Sequence, residues 1–202
     1  MLVTIINELN RLFGAFNEKY FENKLEVPVI TIQTAGRKPT RGWCTCAKVW
    51  VEGEAKFYEI NVTPEYLNRT PEEICATLIH EMVHLYNLML DIKDTSNNMI
   101  YHNKRFKVEA EKRGLIIAKD DTVGWSLTSL QETTKMFIST LGIDEALFKL
   151  SREKQVKARV ENKNKLYNYE CPCGKEKRIK SKLTELNVKC EDCGDYYALL
   201  EV

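Results

Sequence analysis

Residues 70–90 read TPEEICATLIHEMVHLYNLML, and this stretch decides how the rest of the chain is read. Thr70 offers a hydroxyl, Pro71 occupies a first-turn position that needs no amide hydrogen, and Glu73 stands three residues after the hydroxyl, where it can reach back to the capping residue. The spacing therefore predicts a helix running to about Leu90. Ile74, Leu78, Met82, Leu85 and Met89 form one apolar stripe and Cys75, Ile79, Tyr86 and Leu90 a second, so most of the circumference should be buried. The polar stripe is Ala76, His80, His84 and Asn87.

That stripe carries chemistry. In His80-Glu81-Met82-Val83-His84 two imidazoles sit four residues apart, about 40° of rotation and one turn of rise, so both can reach one ion. Neutral imidazole suits zinc, and a catalytic zinc keeps three protein ligands and leaves its fourth position to water. Zinc lowers the pKa of such a water from about 16 to about 7 and can polarise a carbonyl as a Lewis acid. Glu81, beside the first ligand, stands where a general base would take the water's proton and pass it to a leaving amine. The plain alternative is a chance spacing of two structural histidines. It is weakened by helix signals independent of the motif and by a glutamate standing where the chemistry needs one.

A third ligand must come from elsewhere. The chain has three histidines, and His102 opens a second helical pattern, His102 to Arg113, with Phe106 and Ala110 inward and Gly114 as terminator. Glu109 or Glu111 is the rival, since some zinc peptidases complete the site with a downstream glutamate. The compact arrangement with glycine and a third histidine soon after His84 is excluded, because Asn87 and Leu90 hold those places.

Working outward, Leu2, Ile5, Ile6, Leu9, Leu12, Phe13, Phe16 and Tyr20 recur at helical spacing, giving a first helix ending near Asn23. Val29-Ile30-Thr31-Ile32, Arg41-Gly42-Trp43-Cys44 and Phe57-Tyr58-Glu59-Ile60-Asn61-Val62 read as three short strands of a small sheet. Residues 91–101 look turn-like, and 120–141 give no clear pattern. Asp144 is expected to cap a short helix, and 151–165 reads as a solvated helix or linker.

Hydrophobic residues make up 44% and charged residues 29%, the balance of a soluble globular chain, and no apolar run approaches the roughly 20 residues that span a bilayer. The N-terminus lacks a basic leader region and is broken by Asn7, Glu8, Asn10 and Arg11, so a cytoplasmic location is expected. Net charge is +1, but residues 149–182 hold 12 Lys/Arg against 4 Asp/Glu, a balance of +8, leaving −7 elsewhere.

Thiols stay reduced in the cytosol, so clustered cysteines suggest metal rather than disulfides. Cys171-Pro172-Cys173-Gly174 and Cys190-Glu191-Asp192-Cys193-Gly194 lie sixteen residues apart, close to zinc-ribbon spacing, and four thiolates would close one tetrahedral shell. Free or redox cysteines are the alternative. A module this small cannot stand on apolar burial, so metal binding should be its main stabiliser. Cys44, Cys46 and Cys75 read as ordinary unpaired cysteines. Lys175, Lys177, Arg178, Lys180 and Lys182, with nearby tyrosines, read either as solvated surface or as a footprint for single-stranded or distorted DNA.

These residues resemble the SprT-like metallopeptidases, which include the Spartan proteases. The resemblance runs through the N-terminal helix, Arg41-Gly42-Trp43-Cys44, Glu59-Ile60-Asn61, residues 77–84, His102 with Phe106, and the C-terminal cysteines. It implies an α+β zincin-like fold, His102 as third zinc ligand, Glu81 as catalytic base, and a role in cutting proteins bound or crosslinked to DNA. Asn103 stands where the family often has glycine, and Cys171 and Cys173 are closer than the usual spacing.

The expectation is thus an α+β protein with a zincin-like catalytic domain at 1–140, built on a small mixed sheet and the histidine-bearing helix. A basic helical linker at 141–165 and a four-cysteine zinc ribbon at 166–202 follow. Two zinc ions are expected, one catalytic and one structural, with protein as substrate and DNA as partner through the linker and ribbon. The rival from another class is a non-enzymatic, zinc-ribbon nucleic-acid-binding protein with an inactive histidine site.

Overall fold

The computed structural model describes residues 1–35, 40–97, 100–153, 166–174 and 177–200. The chain divides into two compact units, Met1–Lys154 and Gln155–Val202.

In the first unit the order is α1 (Leu2–Phe21), β1 (Val29–Thr31), β2 (Gly42–Cys44), β3 (Trp50–Glu52), β4 (Ala55–Phe57), β5 (Glu59–Val62), α2 (Pro71–Met89), β6 (Thr95–Ser96), β7 (Tyr101–His102), α3 (Lys104–Glu111), β8 (Leu115–Asp120), β9 (Gly124–Leu130) and α4 (Glu132–Thr140). The second unit contains β10 (Tyr167–Glu170), β11 (Arg178–Ser181) and β12 (Ala198–Leu199). The architecture is mixed α+β with small sheets and, among the described residues, four α-helices. None of these helices is long and apolar enough to cross a membrane.

Helix α2 is the spine. Its start is the capping box read from the sequence, with the Thr70 side chain accepting from the Glu73 amide and Glu73 reaching back to the Thr70 amide. Ile74, Cys75, Leu78, Ile79, Met82, Val83 and Leu85 are buried along it, which is why two apolar stripes were needed. Helix α1 lays Ile5, Leu9, Leu12, Phe13 and Phe16 into the same core.

The three strands read from the sequence form one sheet in the order β1-β5-β2, with β5 parallel to β1 and antiparallel to β2. All four residues of β5 are buried, including two that are polar. They survive burial because they are bonded: Glu59 accepts from Thr31 Oγ1 and Trp50 Nε1 at 2.9 and 2.7 Å, and Asn61 bonds the Gln33 backbone through both ends of its amide. The Trp50 bond pins the β3–β4 hairpin to the sheet.

Two regions differ from the sequence expectation. Residues 95–96 and 101, expected as turns, and His102, expected to open the next helix, pair antiparallel, and 115–130 forms a hairpin, giving a second sheet in the order β6-β7-β9-β8. Strands of two residues have no periodicity to read, and β8–β9 alternates buried with exposed residues only in part. Asp144 does cap a turn, the 3-10 segment Glu145–Lys149, which returns to the first unit: Phe148 is fully buried, and the Arg152 amide donates to the Pro64 carbonyl. The remainder of the proposed linker, 154–165, lies outside the described residues, as do Lys175 and the two C-terminal residues.

The capping box gives a direct test of α2. Thr70→Ala should cost about 1 kcal/mol and lower the melting temperature by about 2–4 °C, read by calorimetry. An unchanged melting temperature would show that the cap does not limit the helix.

Candidate metal centre

His80 and His84 project from one face of α2, and β7 brings His102 opposite them. His102 Nε2 lies 3.2 Å from His80 Nε2 and 3.1 Å from His84 Nε2. Tetrahedral ligands at zinc–nitrogen bonds of 2.0–2.1 Å stand about 3.3 Å apart, so the three nitrogens are at ligand spacing.

The opposite ring nitrogens fix which tautomer each imidazole adopts. His84 Nδ1 is 2.7 Å from an Asp94 carboxylate oxygen, an acceptor, so Nδ1 carries the proton. His102 Nδ1 faces the Val123 carbonyl at 3.3 Å, also an acceptor. His80 Nδ1 is 2.8 Å from Thr128 Oγ1, whose own proton goes to the Ser126 carbonyl, so this oxygen too accepts. All three rings therefore donate through Nδ1 and turn bare Nε2 lone pairs on one another. Without a cation such lone pairs repel; with one they are its ligands.

Phe106 supplies the floor of this triad. Its ring centroid lies 4.5, 4.6 and 4.8 Å from those of His80, His84 and His102. The sequence assigned Phe106 only to holding α3 in the core. The rival ligands are engaged elsewhere, Glu109 with Lys112 and Arg113 and Glu111 with Lys107.

For two of the three rings the electrostatics favour the neutral form. Burial pushes His80 well down, and His102 to about 4. For His84 burial acts the same way, but the Asp94 hydrogen bond and the Glu81 and Asp94 charges outweigh it and raise the value. Asp94 is itself lowered: burial opposes ionisation, but His84 and Asn87 hold the charge. Asp94 is the residue the sequence reading missed. It lies ten residues after His84 in a polar loop, and Asn87, the last member of the polar stripe, donates to the same oxygen at 2.9 Å.

Glu81 is buried beside the triad, and burial raises it to about 7 against the pull of His84 and a hydrogen bond from the Cys44 amide. Strand β2 makes this contact because Gly42 has no side chain: a Cβ there would lie 2.7 Å from the Asn61 carbonyl and 3.2 Å from Glu81 Oε1. The group opens into a cleft of about 1840 Å³ walled by 42–46 on one side and 126–130 on the other. Tyr101 and Arg105, close to His102 in sequence, do not line it. Burial raises the Cys44 thiol, and raises Cys75 to about 12, as for unreactive protonated thiols.

In the second unit the four sulfurs of Cys171, Cys173, Cys190 and Cys193 lie within 4.8 Å of one another. Gly174 and Gly194, at φ of 68° and 77°, turn the chain after each pair, and their amides return to the Cys171 and Cys190 carbonyls. Amides of Cys193 and Asp192 stabilise the Cys190 thiolate and lower it to about 6. Four converging sulfurs, one already favouring the thiolate, fit a tetrahedral zinc.

A family model described as the SprT-like family matches residues 9–119. No curated protein and no solved structure matches the chain.

Removing Asp94 frees the His84 ring, so Asp94→Ala should weaken zinc at the triad about 10–100-fold while affinity at the four-cysteine cluster is unchanged. Competition with a chromophoric chelator would measure both, and an unaltered first affinity would contradict the role given to this carboxylate.

Proposed function

The chain belongs to the SprT-like family, and on that premise we propose that it is a zinc-dependent endopeptidase with a zincin-like catalytic domain. The observation that carries the reading is the tautomer pattern of His80, His84 and His102, three bare Nε2 atoms converging beside a buried carboxylate. Zinc held there supplies a Lewis acid and a water of lowered pKa.

The chain's own residues do the rest. Asp94, Thr128 and the Val123 carbonyl hold the three rings in orientation, so no ring must turn when the site is loaded. The Cys44 amide steadies the Glu81 carboxylate. Glu81 accepts a proton from the attacking water and delivers it to the departing amine nitrogen. The group lies in a cleft of about 1840 Å³ walled by 42–46 and 126–130, and the bond cut there is proposed to be an internal one.

The four-cysteine module is proposed as a structural zinc ribbon, and DNA as a partner through it and the basic segment before it. What supports this is the charge balance of 12 Lys/Arg against 4 Asp/Glu over 149–182. In the ribbon, Lys177 and Arg178 already pair with Asp192 and Glu170, and Lys189 lies over the Tyr196 ring. The larger share of a DNA contact therefore falls to the basic run upstream. Substrates on this reading are proteins bound or crosslinked to DNA.

Glu81 separates an enzyme from a non-enzymatic binding protein. Glu81→Gln should lower cleavage of a DNA-bound protein about 10²–10⁴-fold while zinc stays at two atoms per chain. His84→Ala and Cys190→Ser should each leave one. Wild-type cleavage by the glutamine variant would overturn the mechanism.

A further inference from the structure

Beside the cleft lies a shallow depression of about 450 Å³ lined by Lys93, Thr95, Ser96, Asn103, Lys104 and Arg105. Lys93, Thr95 and Ser96 also line the cleft, so the two are continuous. Lys93, Lys104 and Arg105 are exposed, and no carboxylate among the described residues pairs with any of them. This contrasts with the rest of α3 and the two residues after it, where Lys107, Lys112 and Arg113 each have a glutamate.

The depression is registered to the metal centre. Asn103 is the clamp: its Nδ2 donates to the Lys93 carbonyl at 2.9 Å, its Oδ1 accepts from the Arg105 amide at 2.8 Å, and its own amide donates to the Asp94 carbonyl at 2.9 Å. Lys93 precedes the residue that orients His84, Thr95 pairs with His102, and Lys104 and Arg105 follow His102 by two and three residues. One short segment therefore carries His102, the partner of His84 and the backbone of all three cations. Asn103 joins the two ends of that segment.

We propose that Lys93, Lys104 and Arg105 form a subsite for acidic side chains of the polypeptide substrate, on one side of the bond to be cut. The inference rests on the hydrolytic reading above. The depression adjoins the cleft that holds the triad, so such side chains belong within a few residues of that bond. The hydroxyls of Thr95 and Ser96 add neutral donors for the same carboxylates. A nucleic-acid phosphate track fits less well. It presents charge every few ångströms and calls for a long row of cations, whereas here three converge in one depression. The unit carrying them, residues 1–154, has 20 Lys/Arg against 21 Asp/Glu, a balance of −1, and so has no net positive charge to draw in a polyanion.

The test uses the full-length, zinc-loaded chain and a library of unstructured peptides, with cleavage positions read by mass spectrometry. Asp and Glu should be enriched about twofold to fivefold within a few residues on one side of the cut, less so in 0.5 M salt. Combined Lys93→Gln, Lys104→Gln and Arg105→Gln changes lie on exposed side chains. They should erase the enrichment through KM rather than kcat. Cleavage without acidic preference, or a preference that survives the triple change, overturns the subsite and leaves the hydrolytic reading standing. Loss of single-stranded DNA binding in the triple variant, with peptide preference intact, assigns the patch to phosphate and also overturns it. Absence of cleavage of both these peptides and a DNA-bound protein by the wild-type chain sinks the hydrolytic reading itself.

Discussion

An imidazole gives a metal one nitrogen, and the hydrogen bond made by its other nitrogen decides which. Here an aspartate, a carbonyl and a threonine hydroxyl already committed to a carbonyl take the three Nδ1 protons, so every Nε2 is left bare and aimed inward. Much of the fold is arranged around that requirement. The spine helix α2 supplies two rings at one turn's spacing, the second sheet supplies the third ring and the threonine, and the polar loop before β6 supplies the aspartate. Phe106, placed by α3, packs under all three rings and so couples the core to the site.

The same economy appears on the opposite side of the cleft. Strand β2 approaches α2 closely enough for a backbone amide to bond Glu81, and it can do so only because Gly42 leaves the space. Behind it the buried Glu59 and Asn61 hold β1, β5 and the β3–β4 hairpin in one piece through fully bonded side chains. Polar residues buried at these positions serve geometry: an unbonded one would cost roughly 1–3 kcal/mol, and these are bonded. The four-cysteine cluster applies the other solution available to a small module, in which turn glycines gather four sulfurs that apolar burial could not hold together.

What the sequence disclosed divides by length scale. Helix α2 was legible because a 19-residue element carries its cap, period and motif together. The first sheet was legible because three β-branched or alternating runs were bounded by turn residues, and His102 could be picked because a chain with three histidines leaves few choices. The second sheet was not, since β6 and β7 are two residues long and are held by pairing rather than by propensity. Asp94 escaped for a related reason. A carboxylate in a polar loop has no local signature, and only the folded chain brings it to His84. Glu109 and Glu111, the rival ligands in sequence, are engaged in salt bridges instead.

The account rests on a single cation coordinated through three Nε2 atoms with one place left for solvent. Anomalous diffraction at the zinc edge from crystals of the full chain tests this most directly. The expected result is a peak about 2.0–2.1 Å from Nε2 of His80, His84 and His102, with a water as the fourth neighbour. A triad without zinc, coordination through Nδ1, or a fourth protein side chain closing the shell would contradict it.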